Sequence, residues 1–174
     1  GMGTSADSVA STRSESSSWM WQALGAFAIA LFVFALMLCR IELDGGRFFE
    51  YTHEYRRLSE TPYAPSGLQS RSLMPFLAGL VGLGGSGYGY FSLVIVILFL
   101  AALAFYLIRS TQSHASALMG VILLGTIPVT EFNLYALGWP DQFCGLVFLL
   151  GLIAPAFGVV FSVIGILAHE YYIV

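Results

Sequence analysis

Residues 19–39, "WMWQALGAFAIALFVFALMLC", carry no charged side chain over the length that a helix needs to cross a bilayer. A hydrocarbon core about 30 Å thick takes roughly 20 apolar residues at 1.5 Å rise each. Trp19 and Trp21 suit one lipid–water interface, and Arg40 closes the run at the other end. In lipid every backbone N–H and C=O needs a partner within the protein, which leaves helices as the plausible element. The run is too long for a secretory signal and lacks a small-residue cleavage site, so it reads as a retained span. The Ser-rich stretch before it, residues 1–18, reads as a disordered polar tail, with Gly1 an addition ahead of Met2.

The rest of the chain agrees. Charged residues make up 10% and hydrophobic ones 57%, with a mean hydropathy of +0.81, whereas a soluble domain carries about 25% charged residues. This is an integral membrane composition whose first partner is the lipid bilayer. A net charge of −3 without a basic cluster argues against a nucleic-acid partner. Cys39 and Cys144 do not make a disulfide framework and read as small apolar filler.

The expected fold class is all-α, a polytopic bundle of four or five membrane segments plus an interfacial amphipathic helix. Residues 47–59 supply that helix: Phe48, Tyr51, Tyr55 and Leu58 recur at helical steps, with Glu50, Glu54 and Arg57 mostly opposite, as in a helix lying in the interface. Prolines and a glycine in "ETPYAPSG" end it. Residues 72–89, "SLMPFLAGLVGLGGSGYG", are too short for a crossing and read as a re-entrant or juxtamembrane segment. Residues 90–108 form a span ending at Arg109, and 117–137 a span interrupted by Pro128 and Glu131. Residues 143–168 carry no charge; they form either one long tilted helix or two short helices hinged at "APAFG". The transmembrane domain thus covers 19–174.

Few residues can carry chemistry. Asp44, at the head of "DGGRFFEY", suits an N-cap first, and as the alternative a carboxylate that takes a proton from an acceptor hydroxyl. Arg71 suits either snorkelling at an apolar boundary or a forked donor to phosphate. Asp141, after Pro140, suits a helix start, where the dipole favours an acid. Glu131 lies inside a span, where a carboxylate is costly and faces the protein interior or a wet cavity. His169 and Glu170 are not a zinc motif, since the position four residues after the His is Ile173. "GLGGSGYG", residues 82–89, lacks the lysine of a phosphate loop. The sequence identifies no cofactor and does not specify a divalent metal.

Taken in order, these elements resemble the N-terminal part, or a reduced relative, of a GT-C membrane glycosyltransferase. The matching residues are Asp44 in "DGGRFFEY" after the first span, and "PYAPSGLQSRSLMPFLAGL" with Arg71, Leu73, Pro75 and Leu77 at Arg-x-Leu-x-Pro-x-Leu spacing. "GWPDQFCGLVFLL" then carries Asp141 at a helix head, and "SVIGILAHEYYIV" carries the pair His169–Glu170. The resemblance covers roughly residues 40–174. It implies transfer of a sugar from a polyprenyl-phosphate donor at the outer face of a bacterial inner membrane. It makes Asp44 the base and Asp141 a second catalytic acid, with Arg47, Arg71, His169 and Glu170 on the substrates.

A topological condition follows. If residues 72–89 dip in and return, Asp44 and Asp141 belong to one face; if they cross, the two belong to opposite faces. The arginines of the 40–72 loop would by the positive-inside rule place it in the cytoplasm, whereas the resemblance places it outside. Two other functions fit the composition. One is a non-catalytic subunit bound to a membrane protein partner, with Gly79, Gly82, Gly84 and Gly85 allowing close helix packing. The other is a small transporter component with Glu131 on its path and helices broken near Pro128 and Pro155.

Overall fold

The apolar runs become helices, and among the described residues no strand forms. The computed structural model describes residues 4–40, 53–61, 73–125 and 141–168. Its elements are α1 (Thr4–Arg40), α2 (His53–Glu60), α3 (Leu73–Leu80), a 3-10 turn (Gly85–Gly87), α4 (Tyr88–Thr111), α5 (His114–Gly125), α6 (Asp141–Ile153), a second 3-10 turn (Pro155–Phe157) and α7 (Gly158–Ala168). Among the described residues, two stretches are long and apolar enough to cross a membrane, Ser18–Cys39 within α1 and Gly85–Thr111. The bent pair α6–α7 makes a third if taken as one broken span. The four or five membrane segments expected from the sequence include 117–137, of which only the part up to Gly125 lies among the described residues.

Helix α4 is the axis of the bundle, with α1, α5 and α6 packed around it. Helix α1 runs antiparallel to it: the Trp19 ring, early in the first span, meets Phe105 near the end of α4 edge-on at 5.8 Å. Helix α5 runs alongside α1 in the same direction. A methyl on Gly25 would lie 2.8 Å from His114 at the start of α5, and one on Gly125 at its end 2.8 Å from Val33. Helix α6 follows α4, with Gly145 against the Phe99 ring and Ile153 beside Tyr106 and Arg109. These glycines let the backbones approach, as small residues do where lipid offers no hydrophobic drive for helix association.

Two apolar clusters result. One joins α1, α4 and α5 around Ala30, Val33, Leu100, Ala104 and Val121. The other gathers Tyr55, Leu58, Met74, Ala78, Tyr88, Phe143 and Ala168 at the opposite end of α4 from Trp19. We call these ends the Trp19 end and the Tyr88 end.

The structure departs from the sequence reading in two places and selects between its alternatives in a third. Helix α1 begins at Thr4, so the Ser-rich stretch expected to be disordered continues the first span outward; an already nucleated helix extends at little cost per residue even through modest formers such as serine. The second departure concerns α2, whose Tyr55–Leu58 face is turned inward, 1% and 0% exposed, and is covered by α3 and α4 instead of lying in the interface. Of the two forms left open for residues 143–168, the hinged one is found: residues 141–168 bend by 120° between Ile153 and Pro155. Proline has no N–H and crowds the preceding turn, and Ala154 before it leaves the helical region at φ −126°, ψ 73°. Helix α7 then folds back beside α6, with Gly151 facing Phe161.

Candidate functional site

Of the residues singled out for chemistry, Asp141 is described; Asp44, Arg47, Arg71, Glu131, His169 and Glu170 lie outside the described residues. Asp141 is exposed and is the first residue of α6. A carboxylate there is stabilised by the unsatisfied N–H groups of the first turn. Among the described residues, no three His, Cys, Asp or Glu side chains come together in a way that could hold a metal.

The helix ends are informative. Helix α1, antiparallel to α4, finishes at the Tyr88 end. Helix α3, at eight residues shorter than a bilayer crossing needs, packs its Met74 and Ala78 into the cluster around Tyr88. Helix α6 starts towards the same end, with Phe143 in that cluster. Helix α7 returns to it: Ala168, its last residue, is fully buried there, and α7 touches α3. The end of α1, the start of α3, the start of α6 and the end of α7 therefore converge on one end of the bundle.

That end is built around a contact that sequence reasoning missed. Ser59, 4% exposed, sits at the end of α2. Its Oγ accepts a hydrogen bond from the Gly85 backbone N–H at 2.8 Å and donates one to the Arg56 carbonyl at 2.6 Å. The Ser59 carbonyl in turn lies where a methyl on Gly79 or Gly84 would fall, 2.6 Å and 3.0 Å away. Gly85 takes φ +58° under the Glu60 carboxylate, a left-handed conformation that glycine adopts without strain. Three of the four glycines that suggested packing against another protein are thus used within the chain. Gly82 is open, with φ +75°. The glycine run was visible in the sequence, but nothing there pairs it with a serine 26 residues away. Buried Ser92 and Gln142 add polar groups at this end; the Ser92 hydroxyl donates to the Tyr88 carbonyl at 2.9 Å.

Among the described residues, two clefts open elsewhere, and Asp141 lines neither. An apolar groove of about 490 Å³ runs between α1, α4 and α6. A smaller cleft of about 340 Å³ holds Tyr106, Arg109 and Ser110 beside Pro155. In comparisons with known proteins, no family model matches this chain, and no curated protein or solved structure is similar to it.

Proposed function

We propose that this membrane protein transfers a sugar from a polyprenyl-phosphate donor to an acceptor hydroxyl, with its site at the Tyr88 end. One observation carries the reading: four helix ends that adjoin Asp44, Arg71, Asp141 and His169 in the sequence meet at one end of the bundle, with α3 turning back. That is the arrangement in which two acids on separate segments can serve one pocket.

In this mechanism the Asp44 carboxylate takes the proton of the acceptor hydroxyl as its oxygen attacks the sugar's anomeric carbon. The bond from that carbon to the donor phosphate oxygen breaks, and the configuration inverts. Arg47 and Arg71 hold the phosphate, balancing the charge that builds on the leaving group. Asp141 orients the acceptor, and His169 and Glu170 contribute to substrate binding. A bacterial inner membrane, with the Tyr88 end outward, is the setting that the GT-C resemblance implies.

The test is sugar transfer by purified protein in lipid, using a polyprenyl-phosphate sugar. Asp44→Asn should lower turnover by about a hundredfold or more while the helical content and unfolding midpoint stay as in the unmodified protein. Turnover in Asp44→Asn and Asp141→Asn equal to that of the unmodified protein would remove the proposal. It would favour a non-catalytic subunit, a reading supported by the bare apolar face of α7, where Val159 is 80% and Leu167 59% exposed.

A further inference from the structure

The two clefts adjoin, and together they have the shape and chemistry of a lipid. Ile153 lines both. The apolar groove extends along α4 from Leu98 to Phe105 and along α6 from Leu146 to Ile153, about 10 Å at 1.5 Å per residue. Ala23, Ala26, Ala101 and Ala102 hollow it. Its outer end is marked by Trp19, a residue type that sits at headgroup depth. The ring of Phe105, also in the groove, lies edge-on to Trp19 and carries the Arg109 guanidinium 5.9 Å from its centroid. Arg109 is exposed, and among the described residues no carboxylate pairs with it. The same small cleft contains Tyr106, whose hydroxyl can donate, and Ser110, whose hydroxyl donates to the Leu107 carbonyl at 3.2 Å.

We propose that this face holds one anionic phospholipid, its phosphate on Arg109 and Tyr106 and the first part of one acyl chain in the groove. The depth decides the occupant: the groove begins at the interface and runs inward, where the surrounding solvent is lipid. The exposed Arg109 guanidinium beside the outer end, without a carboxylate partner among the described residues, selects a negatively charged headgroup. The site lies at the Trp19 end, away from the proposed sugar-transfer site, and does not rest on that reading.

Native mass spectrometry of the detergent-purified protein, titrated with dioleoyl phosphatidylglycerol or dioleoyl phosphatidylcholine, tests it. The expected result is one retained phosphatidylglycerol per chain, bound about tenfold more tightly than phosphatidylcholine. Arg109→Gln should abolish that preference, leaving the two lipids equal, and Ala102→Phe should weaken both by filling the groove. Because Arg109 is on the surface, its variant keeps the assay decisive if Ala102→Phe does not fold. Equal binding of both lipids by the unmodified protein would overturn the proposal. So would a preference that survives Arg109→Gln, displacement by millimolar inorganic phosphate, or a dimer in place of the lipid-bound monomer.

Discussion

The tightest constraint on single residues is the docking of α2 onto the glycine turn. Ser59 answers a buried backbone N–H, and an unmet buried donor costs about 1–3 kcal/mol. Ser59→Ala should therefore lower stability by about that amount, read as a shift of the unfolding midpoint in a mild-detergent to SDS titration. Gly79→Ala should cost a similar ~1–3 kcal/mol, because the added methyl meets a backbone carbonyl at 2.6 Å and a whole helix must shift to make room. Gly82→Ala is the contrast. Nothing surrounds that position, so its cost is conformational alone, about 1 kcal/mol for a left-handed residue. If Gly79→Ala proved no worse than Gly82→Ala, close approach of α2 would not be what fixes these glycines.

At the scale of elements, α6 is held to α4 by the fit of Gly145 against Phe99. Gly145→Leu should push the helices apart at a cost of about 1–3 kcal/mol, and Phe99→Ala added to it should restore part of the loss. Failure of the double variant to recover would mean that the two residues are not coupled. The sequence made the long helices legible, because an uncharged run of this length has few alternatives in lipid. It also made legible the periodicity of Tyr55 and Leu58 and the break at Pro155. What it left open was which way the α2 face turns, since lipid interface and protein interior both accept a tyrosine–leucine stripe. Only the approach permitted by Gly79 and Gly84 decides for the interior. The site is less legible still: a carboxylate such as Asp141 at a helix head serves as cap or as catalyst, and local sequence carries the same letters for both.

For the whole molecule, the directions of the helices make a labelling prediction. In a background with Cys39→Ser and Cys144→Ser, single cysteines replacing Ser86 and Asp141 should react with an impermeant maleimide from the same side of sealed vesicles. One replacing Thr111, at the Trp19 end, should react from the other side. Labelling of positions 86 and 141 from opposite sides would remove both the shared end and the glycosyl-transfer reading. The reversal at Ala154 has a consequence for how such a chain is made. Inserted as a re-entrant loop, the α6–α7 pair would enter and leave at a single surface, and no charged residue lies between Gln142 and Ala168. During synthesis this segment can slide into the lipid as a folded loop, with no hydrophilic stretch to be hauled through to the far compartment.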